Sequence, residues 1–179
     1  SVKSDIEKVI ISEDQLQDRL KEVAKQIDAD YQGKELLLIG VLKGAVMVMA
    51  DLTRYMNRHV EIDWMAVSSY GSGTKSSGVV RILKDLDRDI SNRDVLIVED
   101  IVDTGLTLAW LKSNLESRGA KSVEILTLLL KPEAAKFQWD VKYVGFDIPT
   151  DFVVGYGLDF NEKYRNLDFI GVLAKHMYS

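Results

Sequence analysis

A chain of 179 residues, 46% apolar and 28% charged, carries enough apolar material for a buried core and lacks the bias of disordered or fibrous proteins. The absence of cysteine excludes a disulfide framework, a thiol nucleophile and a cysteine-bound zinc, and fits a reducing, cytoplasmic setting. A formal net charge of -5 argues against broad neutralisation of nucleic-acid phosphates; no apolar run is long enough to span a bilayer, and residues 1–8 lack the apolar centre of a secretory signal. No repeat, low-complexity segment or linker divides the chain, so residues 1–179 read as one domain without a nucleic-acid or membrane partner.

In chain order, Ser12 and Gln15 resemble a capping box, and Leu16, Leu20, Val23 and Ile27 recur at helical spacing, which predicts a helix over 13–28. Gly33 closes the connection to a buried strand over 36–41. Lys43-Gly44 follows at that strand's carboxyl end, before a helix carrying Val46, Met47, Met49, Ala50, Leu52 and Met56. Lys43 is either a solvated turn lysine or an anion contact beside the first N–H groups of that helix. His59 reads as a surface residue.

Strands are predicted over 60–69 and 79–83, joined by a glycine- and serine-rich loop with the composition of a lid. The run VLIV at 95–98 is a strand, followed by Glu99, Asp100 and Asp103, and Thr104-Gly105-Leu106-Thr107 opens a helix. That helix presents Leu108, Leu111 and Leu115 on one side and stops at Gly119. Strands follow over 123–130, 141–146, 152–156 and 169–173; Lys131-Pro132 ends the first of them, and a polar loop over 157–166 contains Asp159 and Arg165. Alternation of strands and helices up to Gly119 predicts an α/β fold with a mainly parallel central sheet flanked by helices.

Three separate stretches thus put charge at carboxyl ends of predicted strands: Lys43-Gly44, Glu99 to Thr107, and Lys131. Ligands of open α/β sheets bind at such ends, and helix N-termini accept phosphate. No Walker-type lysine followed by Ser or Thr occurs. Adjacent carboxylates instead suit sugar hydroxyls or a hydrated magnesium ion, so a sugar phosphate satisfies both the acids and the Thr104 to Thr107 turn.

VLIVEDIVDTGLTL resembles the phosphoribosyl-diphosphate motif of type I phosphoribosyltransferases. VLKGA at 41–45, SSYGSGT at 68–74, LLLKP at 128–132 and FVVGYGLDFNEKYRNL at 152–167 extend the likeness to the hypoxanthine-guanine branch across nearly the whole chain. The resemblance implies that family's fold, with a small hood built from chain-terminal segments. It also implies transfer of the phosphoribosyl group from 5-phosphoribosyl 1-diphosphate to a 6-oxopurine base, hypoxanthine or guanine, giving IMP or GMP, with Mg2+ as cofactor and a homodimer or homotetramer as assembly.

Carried over by that resemblance, the 5-phosphate falls to Asp103, Thr104, Gly105, Leu106 and Thr107, and Glu99 and Asp100 match the ribose-hydroxyl and magnesium-associated pair. Asp103 matches the general base for the purine N7 proton, a role compatible with capping its loop. Lys43 and Gly44 match the pyrophosphate turn, described in the family with a non-proline cis peptide before the lysine. Arg165 matches another pyrophosphate contact, and Ser69 and Tyr70 match lid residues. Lys131 matches the donor to the purine 6-oxo group, which an amino-bearing adenine would refuse. Phe152 resembles the base-stacking aromatic, with Val153 and Ile101 beside it, and Asp159 matches a second magnesium contact and a purine contact through its carbonyl.

Phe160, Asp168, Val46 and Val48 depart from the family pattern without touching a proposed catalytic role, and Trp64, Trp110 and Trp139 read as packing residues. Two alternatives stand beside this reading. One is a xanthine-preferring enzyme. The other is a non-enzymatic regulator that senses phosphoribosyl diphosphate and binds nucleic acid; it would have less need of Lys131 and the purine set, and would display a basic face.

Overall fold

The computed structural model describes residues 1–70, 79–132 and 140–179. The elements are β1 (Ile6–Ile11), α1 (Glu13–Asp30), β2 (Leu36–Val41), α2 (Val46–Tyr55), β3 (Glu61–Tyr70), β4 (Val79–Lys84), β5 (Asp94–Val102), α3 (Leu106–Ser117), β6 (Ser122–Leu130), β7 (Tyr143–Asp147), β8 (Val153–Val154) and β9 (Ile170–Leu173). The main sheet has the order β4-β3-β2-β5-β6-β7, with β4 antiparallel to β3 and the other neighbours parallel.

Side chains alternate across this sheet as the period of two requires. Leu36, Leu38, Leu96, Val98, Leu126 and Leu128 share a core with α1 and α2, while Leu37, Ile39, Val95, Ile97, Val123 and Ile125 pack with Leu108, Leu111 and Leu115 of α3. The central strands therefore read as unbroken apolar runs, because both of their faces are covered by helices. α1 starts at the expected capping box, in which Ser12 Oγ accepts the Gln15 N–H and Gln15 Oε1 accepts the Ser12 N–H. α3 stops before Gly119, whose φ of +85° is the left-handed conformation that glycine adopts without a Cβ clash.

β5 is longer than its VLIV run indicates. It continues through Glu99 and Asp100 to Val102, because Glu99, Ile101 and Val102 pair with Thr127, Leu129 and Leu130 of β6. Conversely, the strand expected over 152–156 shrinks to Val153–Val154 and gives way to a turn with Gly155, Tyr156 and Gly157 at positive φ.

The second sheet, β1-β9-β8, is antiparallel and forms a hood. β1 has no local sequence signal: Glu7, Lys8 and Val9 in the middle of IEKVII are exposed, and its pairing partner β9 lies at the far end of the chain. Val154, Tyr164 and Leu173 make the hood's own small core, with Ile6, Phe160 and Leu167 against it. His59 is exposed, and Trp64 and Trp110 are packed against the two main cores, as expected. Of the lid loop expected over 70–78, Tyr70 instead ends β3, and the rest of that loop and Trp139 lie outside the described residues.

Candidate active site

Parallel register sends the turns after β2, β5 and β6 to the same edge of the sheet: Leu36 lies opposite Asp94, Asp94 opposite Ser122, and Val102 opposite Leu130. The sheet changes direction between β2 and β5, since β2 leads through α2 to β3 on one side and β5 through α3 to β6 on the other. A crevice at such a switch point is where open α/β sheets take their ligands. The Lys43-Gly44 turn and the acidic end of β5 flank it, and Lys131 follows on the β6 side, with its N–H donating to the Val102 carbonyl at 3.0 Å.

The loop after β5 encloses a cavity of about 180 Å³, lined by Glu99, Ile101 and the run from Val102 to Leu108. Gly105 caps α3 with φ +79° and has no side chain to accept the first-turn N–H groups; Thr104 Oγ1 approaches the Leu106 N–H at 3.5 Å. A helix start of this kind suits an anion. Asp103 and Thr104 are exposed at the rim. Lys131 Nζ stands 3.9 Å from Asp103 Oδ2, so the lysine that follows β6 pairs with the acid of the loop.

Glu99 and Asp100 are half-buried at the floor of the crevice. Asp100 Oδ1 accepts the Ile101 N–H at 2.7 Å and Glu99 Oε1 the Asp100 N–H at 3.1 Å. Burial, followed by the neighbouring Asp100 carboxylate, pushes the Glu99 carboxyl well above its ordinary pKa. The β2 turn approaches this pair so closely that a Cβ on Gly44 would lie 1.9 Å from Asp100 Oδ2, so any larger residue there would have to displace the Asp100 carboxylate. The Leu42–Lys43 peptide immediately before the turn is cis. Among the described residues, no three His, Cys, Asp or Glu side chains gather as a metal-holding group, so Asp159 stands apart from Glu99 and Asp100.

The hood supplies the other side. Val153 is buried, and Phe152 is 39% exposed. Phe152 stacks on Tyr178 with centroids 5.1 Å apart and meets Phe160 edge-on at 5.7 Å, so one of its faces is already covered. Arg165 Nη1 donates to the Gly157 carbonyl at 2.7 Å and Nη2 to Glu162 at 3.1 Å, with Asp159 Oδ1 at 3.4 Å. Lys43 Nζ donates to the same Glu162 carboxylate at 3.1 Å. Lys43 and Arg165, predicted as one anion clamp, thus meet through a third residue. Ser69 and Tyr70 end β3, paired with Val80 and Val79.

The phosphoribosyl transferase domain family model matches residues 12–161. A hypoxanthine-guanine phosphoribosyltransferase of Mycobacterium bovis is 56% identical over 180 residues, covering 97% of this chain and 89% of that one. The chain belongs to the hypoxanthine-guanine phosphoribosyltransferases. One from Bacillus subtilis is 51% identical over 177 residues, 99% of this chain and 98% of that one. The crystal structure of a hypoxanthine phosphoribosyltransferase from Staphylococcus aureus superposes with a TM-score of 0.96 at 49% identity, covering 99% of this chain and 97% of that one.

Within this phosphoribosyltransferase fold, the residues that join hood to sheet were not legible as site residues. Tyr156, at φ +49°, donates its hydroxyl to Asp51 of α2, which also accepts from Gln17 of α1 at 3.0 Å and from Arg54. Burial opposes ionisation of Asp51 most, yet the hydrogen bonds from Tyr156, Gln17 and Arg54 together hold its carboxyl below the ordinary range. Next to Tyr156, a Cβ on Gly157 would fall 2.2 Å from the Gly44 carbonyl, so this turn rests directly on the Lys43-Gly44 turn. The available signal was Asp51, a carboxylate set among apolar residues of α2.

Proposed function

We propose that this chain transfers the 5-phosphoribosyl group of 5-phosphoribosyl 1-diphosphate to hypoxanthine or guanine, giving IMP or GMP and pyrophosphate. The observation that carries the reading is a cavity lined by Asp103 and the glycine-capped start of α3, with Lys131 Nζ 3.9 Å from Asp103 Oδ2. A phosphate fits the helix start; a 6-oxopurine, which accepts at its 6-oxygen and carries a proton to lose at N7, fits Lys131 and Asp103.

In this mechanism the 5-phosphate lies on the N–H groups of residues 103–107, and Glu99 and Asp100 accept hydrogen bonds from the ribose hydroxyls. Lys131 donates to the 6-oxo group and thereby rejects adenine, whose 6-amino group is a donor. The base stacks on the exposed face of Phe152, with Val153 and Ile101 beside it. The purine N9 bonds to C1 of the sugar as the C1–oxygen bond to pyrophosphate breaks, and the N7 proton passes to Asp103. Lys43, Gly44 and Arg165 hold the departing pyrophosphate, while Ser69 and Tyr70 belong to the lid that keeps water from the reactive sugar.

The paired carboxylates of Glu99 and Asp100 are oxygen donors whose mutual repulsion a divalent cation relieves, so they suit Mg2+, with Asp159 serving a second ion on the hood side. Bound there, magnesium would neutralise charge on the diphosphate. The working assembly in this reading is a homodimer or homotetramer, which sedimentation can measure. The decisive test is a coupled assay of hypoxanthine, guanine, xanthine and adenine with 5-phosphoribosyl 1-diphosphate and magnesium. Nucleotide from hypoxanthine and guanine supports the proposal; nucleotide from none of the four would sink it.

A further inference from the structure

We infer that Glu162 competes with pyrophosphate for Lys43 and Arg165, so that its charge sets how tightly the leaving product is held. This rests on the assignment of those two cations to the leaving group. One carboxylate joins them: Glu162 Oε2 accepts from Lys43 Nζ at 3.1 Å and Glu162 Oε1 from Arg165 Nη2 at 3.1 Å. Asp159 stands a further 3.4 Å from the same Arg165 nitrogen. Two cations therefore face two carboxylates, and a diphosphate entering the clamp meets a cluster whose positive charge is already matched. Any gain from the cations is reduced by displacing or repelling Glu162.

The placement of Glu162 is built into the backbone. Phe160 and Lys163 exchange N–H···O bonds at 3.1 and 3.0 Å, closing a two-residue turn on Asn161 and Glu162. Both turn residues have positive φ, +52° and +65°, as in the type I′ hairpin turn that favours Asn-Gly. A glutamate in the second position occupies a conformation that glycine adopts at less cost. The Glu162 N–H is held there by Asp159 Oδ2 at 2.9 Å. The turn alone does not account for a glutamate at this position.

Nor does fold stability account for it. The Lys43 and Glu162 side chains are 66% and 60% exposed, and ion pairs so open to water add little to folding. The same exposure lets an incoming anion exchange with the carboxylate. A counterweight of this kind limits product retention, which favours turnover where release is slow.

The test compares the full chain with Glu162→Gln and Glu162→Gly, measuring pyrophosphate as product inhibitor and KM for 5-phosphoribosyl 1-diphosphate, with KM for hypoxanthine as internal control. Expected is pyrophosphate inhibition about threefold tighter in both variants, with hypoxanthine KM unchanged. Glu162→Gly relieves the positive-φ position and so guards against a variant that misfolds. The gain should disappear in a Lys43→Met background. Unchanged or weaker pyrophosphate binding in both Glu162 variants overturns the inference. Lys43→Met and Arg165→Met, measured singly, separate the two failures. If both weaken pyrophosphate but the Glu162 variants do not tighten it, only the role of Glu162 falls; if neither weakens it, the clamp assignment falls too.

Discussion

The loop over 103–107 hangs from β5, a strand paired on both sides and buried from Asp94 to Val98, whereas the hood reaches the crevice from β8, two residues long, through turns with Tyr156, Asn161, Glu162 and Tyr164 at positive φ. The first region takes its geometry from parallel register, so each carboxyl-end residue is positioned by many backbone hydrogen bonds. The second depends on a few side-chain bonds, chiefly Tyr156 to Asp51 and Arg165 to Gly157, and on Gly157 lying against Gly44. Chemistry in this protein is therefore expected to respond sharply to single groups on the sheet side, and affinity and stability to single contacts on the hood side.

The largest separation between the two regions should come from Asp103→Asn. Turnover is expected to fall about 100-fold or more while KM for 5-phosphoribosyl 1-diphosphate changes little, since the side chain changes but the N–H groups of the loop remain. Steady-state kinetics with both substrates varied will decide it, and unchanged turnover would remove Asp103 from the base role.

Gly157→Ala strikes the hood where it rests on the sheet. With φ at +100° and the Gly44 carbonyl 2.2 Å from the new Cβ, the substitution should cost about 2 kcal/mol or more and raise KM for 5-phosphoribosyl 1-diphosphate. Chemical denaturation read alongside kinetics checks both. Stability and KM at wild-type values would show that the close approach carries no weight.

Tyr156→Phe is milder, removing one hydroxyl donor from a half-buried carboxylate while keeping the ring. A loss of about 1 kcal/mol is expected, measurable by thermal unfolding, with turnover per folded molecule nearly retained. A collapse of turnover instead would mean that the hood governs chemistry as directly as the sheet does.

The smallest effect concerns pH. Because the folded-state pKa of Asp51 is depressed, its contribution to stability is present above the ordinary carboxylate value of 3.8 and is lost as pH falls through the folded value. The stability gap between wild type and Asp51→Asn should therefore narrow as the pH falls below about 4. A gap that widens on acidification would contradict the bonded, ionised Asp51.

Much of the sheet side was legible because its determinants are local. The buried runs of β2, β5 and β6, the capping box at Ser12, Gly105 before α3 and the charged residues after each strand are readable within a few residues of themselves. Parallel strands then needed only their covering helices to bring Lys43, Glu99 to Thr107 and Lys131 to one edge. The extent of β5 was less legible, because Glu99 and Asp100 look like a strand end until the pairing of Ile101 and Val102 with β6 is known.

By itself, the sequence determined which residues could bind a phosphate, accept from hydroxyls or donate to an oxo group, since those properties belong to side-chain types and to short turns. Only the tertiary structure decided that β1 pairs with β9, that Tyr156 finds Asp51, that Phe152 has one face covered by Tyr178, and that Glu162 stands between Lys43 and Arg165. Each of these joins residues distant in the chain or sets a side chain by a left-handed turn, and neither long-range pairing nor a positive φ at glutamate or tyrosine has a local sequence signal.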